Sequence, residues 1–468
     1  MTTNHNVSAR SVKSNFLSVQ LKTGECRQWL RVAALGLALA GGLSAPAADG
    51  DQTRRYHPDP TNVWNRLHES LFIRTGPNGA VYGHDELDAL FWPNTSRHLL
   101  AAESHRRAVK VLREFVEGGG AATVTNRVAR AVMQRDLWAA FDAMAGDKEA
   151  GLPPETESAR RDLRRLLAAA ILRIALRAEE IQALPDVYRA AVEAKPFPAD
   201  FDPANPDAAL LPPDLFDPDG PWVCVGEKSQ FQGEPFTKLV PAHVDFLSRS
   251  VFLVFLRVPE GRAAALAYLD KLSSAPEPWK VGGRRVEPSP TLPEFPPGTQ
   301  VALVRRAMLI DAQGRIVPTR LIESIQYRIY TPDKPRPYRR LEVRQGVAEL
   351  VLSPKRLLAG ETNALHAVGP ADLRFGFFPV GALSDPFEEP GADRPDSNLG
   401  LGPALQSCHA CHHQAGLRGF MTYVRDFGGR RTEPPILEVT TPAAREESAV
   451  YWKHTQPDWA WWRGLTER

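Results

Sequence analysis

The sequence predicts an α+β protein: a helical N-terminal region, a middle built on a mixed or antiparallel sheet, and a small, mostly helical C-terminal segment. Three observations carry that expectation. Apolar residues recur at helical spacing between Tyr56 and Pro196, strand-like runs dominate from Trp222 to Phe387, and the two regions follow one another rather than alternating as βαβ units would. With 468 residues the chain has room for two or three domains of ordinary size. Its 41 prolines point to many turns and extended connectors.

Within residues 56–196, the run SHRRAVKVLREFVEGGG places Val109, Leu112, Phe115 and Val116 on one helical face, with Ser104 as its expected N-cap and Gly118 as its stop. TVTNRVARAVMQRDLWAAFDAMAGD repeats the pattern. TESARRDLRRLLAAAILRIALRAEEIQAL predicts one long helix capped by Thr156 or Ser158. The acidic GHDELD around Asp85, Glu86 and Asp88 lacks the alternating oxygen ligands of a calcium loop and reads as a helix start.

Residues 197–221 form a linker, or an extended wrap over the surface, because proline and aspartate every few positions resist both helix and central strand. In residues 222–387, SVFLVFLRV reads as a buried strand and GRAAALAYLDKL as the helix after it. Two further strands flank Asp311-Ala312-Gln313-Gly314, a β-hairpin with its glycine in the turn, and RLEVRQGVAELVLS predicts a second hairpin. Residues 388–468 open on a Gly/Pro/Asp loop and end in the aromatic-rich YWKHTQPDWAWWRGL.

The first 47 residues read as a secretory signal peptide. Arg27 and Arg31 precede an apolar run from Val32 to Leu43, followed by small residues at Ala45 and Ala47. The run is shorter than the ~20 residues a membrane span needs, so cleaved export is the expectation and an uncleaved anchor the alternative. Cleavage after Ala47 would leave 52 basic and 54 acidic groups and turn a formal net charge of +2 into −2. A near-neutral protein has no long-range attraction for nucleic acid or an anionic membrane surface. The expected location is periplasmic or extracellular, with no membrane insertion beyond the signal.

Four cysteines are present, and Cys26 would leave with the signal. The remaining three, Cys224, Cys408 and Cys411, are an odd number that suits no disulfide framework. Cys224, in PWVCVGE, reads as a buried apolar thiol. Cys408, Cys411 and His412 sit within SCHACHHQAGLRGF and spell C-x-x-C-H, the attachment sequence of c-type haem. Two thiols at that spacing can add across two vinyl groups of the porphyrin, and the next residue then offers its imidazole to the iron. A zinc site drawing on Cys408, Cys411 and one of His409, His412 or His413 competes, but the chain has no second C-x-x-C to complete four ligands. A redox disulfide also competes, without the βαβ pattern that would host it.

On these residues the chain resembles the c-type cytochromes, over the motif and roughly the last eighty positions. The resemblance implies one covalently held haem c, with Cys408 and Cys411 as thioether anchors and His412 as axial iron ligand. Export agrees with it, because haem is joined to such chains outside the cytoplasm. The distal ligand stays open between Met421 and His454, or neither. Met421 lies nine residues past His412, so it can return to the iron only if the chain breaks at Gly416 or Gly419. The tryptophans at 452, 459, 461 and 462 read as core packing that can also keep a haem dry.

The expected function is single-electron transfer to a redox protein partner. Two alternatives stand beside it: a haem enzyme with an open distal position acting on peroxide or a small substrate, and an envelope protein in which haem is structural.

Overall fold

The computed structural model describes residues 54–75, 81–85, 97–100, 102–145, 154–205, 207–228, 249–282, 285–331, 336–338, 341–343, 345–369, 372–375, 401–403, 416–417, 419–420 and 436–466. Its fold is α+β, as the sequence predicts. Six helices come first: α1 (Val63–Phe72), α2 (Ala102–Glu117), α3 (Arg127–Ala145), α4 (Pro154–Arg173), α5 (Ala178–Gln182) and α6 (Val187–Ala194). Then follow β1 (Val223–Lys228), β2 (Ser250–Arg257), α7 (Arg262–Ser274), β3 (Gln300–Ile310), β4 (Ile316–Tyr330), β5 (Gln345–Leu352), α8 (Pro354–Leu358) and β6 (Leu365–Ala367). The chain closes with β7 (Ile436–Val439), α9 (Pro442–His454) and α10 (Pro457–Thr466). Among the described residues no helix is long and apolar enough to cross a membrane.

The seven strands form one antiparallel sheet in the order β6-β5-β4-β3-β2-β1-β7. Its first six are a meander, which needs only local connections. The β3–β4 hairpin turns where expected: Asp311 accepts from the backbone N–H of Gln313 and of Arg315, at 2.9 Å each, and Gly314 takes φ +77°. The second expected hairpin does not form inside its run. Gly346 pairs with Ile329 within β5, and Leu341–Val343 instead pairs with Arg336–Tyr338 in a separate ribbon.

The long helix predicted up to Leu184 ends at Arg173. Leu176 is drawn into a parallel bridge with Asp311, and its carbonyl accepts from the Ala312 N–H at 2.9 Å. A tertiary contact with the hairpin turn therefore overrides local helix propensity. Neither Thr156 nor Ser158 caps this helix, which starts at Pro154, where a missing N–H costs nothing. Ser104 likewise lies inside α2 rather than at its cap.

Helix α3 is buried along most of its length, and three consecutive polar residues tie it to different neighbours. Gln134 donates to the Ile310 carbonyl at 2.8 Å and accepts from the Ile310 N–H at 3.1 Å, so its amide extends the end of β3. Arg135 pairs with Glu323 of β4 at 2.8 Å. Asp136 receives Tyr56 Oη at 3.4 Å and Arg55 at 3.5 Å. Helix and sheet thus share one core.

Residues 197–221 are the wrap rather than a free linker: Leu210, Leu211 and Leu215 are buried, and the Pro212 carbonyl accepts from Tyr188 Oη. The regions read from the sequence as 56–196, 222–387 and 388–468 all lie within one unit, Ala48–Arg468. Strand β7 completes the sheet on β1, and α10 packs on α3 through Trp138–Trp459 and Phe141–Trp462 and on α4 through Arg164, which lies over the Trp461 ring.

Candidate functional site

The pleat gives the sheet two chemically different faces. One carries Leu253, Phe255, Ala302, Val304, Ile325, Tyr327 and Ile329, all buried. The other carries Val301, Leu303, Gln326, Arg328, Val347 and Glu349, also buried. Buried charge and amides on one face of a sheet require polar partners from whatever covers it.

Residues 416–417 and 419–420, which follow the C-x-x-C-H sequence, are helical. Arg328, only 3% exposed, donates to the Gly419 carbonyl, which places this stretch against the polar face. Leu417 donates its N–H to Glu294 Oε2 at 3.2 Å. Phe420 is buried and meets Phe295 edge-on, with ring centroids 5.7 Å apart. Phe295 in turn contacts Tyr268 at 5.0 Å and Tyr330 at 6.4 Å. Burial and the carboxylate of Glu294 push the Tyr268 hydroxyl well above the ordinary phenol range. Gly416 has φ +62°, a backbone conformation that favours glycine, and a Cβ there would meet the end of the Glu294 side chain.

Cys408, Cys411, His412 and Met421 lie outside the described residues. His454 is described: it ends α9, is exposed, and lies tilted against Trp459 with ring centroids 5.2 Å apart. Partial burial, with Arg463 nearby, lowers its pKa. Its neighbour Lys453 binds Asp142, which binds Arg249, the residue before β2. Gly416–Phe420 instead sits beside Tyr330 and Phe295, where Arg257 pairs with Gln300. The seven steps of β2 between those two ends span about 23 Å.

The other residues singled out in the sequence have plain roles. Cys224 is buried in β1, where desolvation pushes its thiol up to about 12. Asp85 accepts from Ser353 Oγ at 2.6 Å and from the Lys355 N–H at 2.7 Å, at the start of α8. His68 is buried against Tyr56 and Phe72, and desolvation holds it well below the usual imidazole range. Among the described residues no cluster of His, Cys, Asp and Glu could hold a metal.

Sequence reasoning missed Glu294, Phe295 and Arg328. The one available signal for Arg328 was a charge standing in the β-strand run IQYRIY. It missed a second charge cluster as well, in which Lys453, fully buried, meets Asp142 Oδ1 and Oδ2 at 3.1 Å each and also binds Asp458.

Comparison with protein-family models, with curated proteins and with solved structures finds no match to this chain. The fold class and the residues themselves therefore carry the functional reading.

Proposed function

We propose that this chain is an exported protein of the c-type cytochrome kind, holding one haem c and passing single electrons to a redox protein partner. The observation that carries the reading is Cys408-His409-Ala410-Cys411-His412, thiols and imidazole in attachment order. The described surroundings fit such a group in kind. Aromatic rings at Tyr268, Phe295, Tyr330 and Phe420 supply a dry wall. The buried guanidinium of Arg328 supplies positive charge of the sort that suits a porphyrin's carboxylates.

Cys408 and Cys411 would hold the haem covalently and His412 would offer an imidazole nitrogen to the iron, and the group would supply a reversible one-electron couple. Of the two distal candidates, Met421 is favoured over His454. It directly follows the anchored Phe420, whereas His454 belongs to the far end of β2. The αL turn at Gly416 is a break in helical direction of the kind a returning Met421 requires.

The test is expression with and without a signal peptide in a host that has cytochrome maturation machinery. Pigment that survives acid-acetone extraction, is absent from Cys408→Ser/Cys411→Ser, and needs export supports the reading; colourless wild-type protein sinks it. A near-infrared band for methionine ligation that Met421→Ala abolishes marks a carrier. High-spin iron that binds peroxide would move the assignment to the enzyme alternative.

A further inference from the structure

The loop that meets Gly416 and Leu417 is unusually constrained. It reads TLPEFPPGTQ, with Pro293, Pro296 and Pro297 around Glu294 and Phe295. Tyr268 Oη donates to the Pro293 carbonyl at 2.8 Å, and the Gly298 N–H donates to the Tyr330 carbonyl at 2.7 Å. Thr299 closes the turn on the Pro296 carbonyl through its N–H at 3.1 Å and its hydroxyl at 2.7 Å. Prolines fix φ at three positions and these bonds tie down the backbone on both sides of Glu294, whose side chain is exposed.

That carboxylate accepts the N–H of Leu417 at the start of a helical turn, where backbone donors lack intrahelical partners. Two residues on, Arg328 takes the Gly419 carbonyl. A carboxylate from the proline loop and a guanidinium from β4 therefore hold opposite backbone polarities of one turn, and Phe420 packs edge-on against Phe295. Leu417 is five residues from His412 in the sequence.

We propose that Glu294 is a positioning residue for the haem-attachment loop, acting through its hydrogen bond to Leu417 to fix how the chain leaves the proximal histidine. This rests on the haem reading above. It assigns the sheet region a direct part in setting the iron's ligation, rather than the part of an independent module beside it.

The experiment compares matured wild type with Glu294→Ala, Glu294→Asp, Glu294→Gln and the exposed control Glu277→Gln. Covalent haem per chain, the visible and near-infrared spectrum, and the midpoint potential are read for each. Glutamine keeps the side-chain length and an acceptor oxygen; alanine removes the acceptor and aspartate withdraws it by one methylene. The expected result is a changed distal-ligand signature and shifted potential in the alanine and aspartate variants, with the wild-type spectrum restored in Glu294→Gln. Spectra and potential unchanged in Glu294→Ala overturn the inference, and so does Glu294→Gln failing to rescue. Should Glu294→Ala not fold, Glu294→Asp against Glu294→Gln decides by the same criterion. Wild type without covalent haem is a different outcome, and removes the functional reading itself.

Discussion

Lys453 and Asp458 make a pH-dependent fastening of the C-terminal helices. Lys453 is fully buried over the Trp138 ring at 5.3 Å, with Asp142 and Asp458 as its anionic partners and Arg249 on the far side of Asp142 at 3.1 Å. Burial first, then the charge of Asp142, pushes the Asp458 carboxyl from 3.8 up to about 7, with Lys453 partly offsetting. The folded protein thus keeps a proton that the unfolded chain gives up near pH 4. Its contribution is present in full below that pH and is lost as pH rises towards 7. Between pH 5 and pH 7 the loss is about 2 kcal/mol, roughly a factor of 30 in opening of α10.

His454 acts with the opposite sign. Its lowered pKa makes the folded state the weaker proton binder, so its share is lost as pH falls. Hydrogen exchange over residues 442–466, corrected for intrinsic rates, checks both. Wild-type protection should fall from pH 5 to pH 7, and Asp458→Asn should remove that fall and leave only the slight opposite trend from His454. An unchanged slope in Asp458→Asn would refute the reasoning.

Three further outcomes follow from the geometry. Glu323→Ala takes a carboxylate from between Arg135 and Arg305, at 2.8 and 3.3 Å, and should cost about 3–5 kcal/mol in urea denaturation. Gln134→Leu strips both side-chain bonds from the Ile310 backbone and should cost about 2–3 kcal/mol by the same measurement. Gly416→Ala should lose about 1–2 kcal/mol from its positive φ plus a clash term with Glu294; a double-mutant cycle with Glu294→Ala should recover only the clash.

What the sequence made legible were features decided within a dozen residues. The apolar faces of α2 and α3, the strand Ser250–Arg257 and the turn at Gly314 all read correctly, because periodicity and turn chemistry are local. What it hid depends on contacts made across the fold. Leu176 leaves the helical path for Asp311, and the four residues of β7 are a strand only because β1 offers them an edge. At the site, composition exposed the C-x-x-C-H residues, but nothing local tells that a glutamate between prolines meets a backbone N–H 123 residues later.

The same long-range contacts tie the described residues on both sides of the C-x-x-C-H stretch into one core. The meander β1–β6 ends by Ala367, before the motif begins, and β7 with α9 and α10 follows it. The motif-bearing stretch is therefore spanned by two parts of the same core. On its C-terminal side the chain adds the last strand and covers Trp138 and Phe141 with Trp459 and Trp462. Just after the motif, Leu417 and Phe420 are seated on the sheet end itself. Cutting before residue 416 would bare the β1 edge and leave Asp142 without Lys453, so the large upstream region and the short downstream one depend on each other for burial.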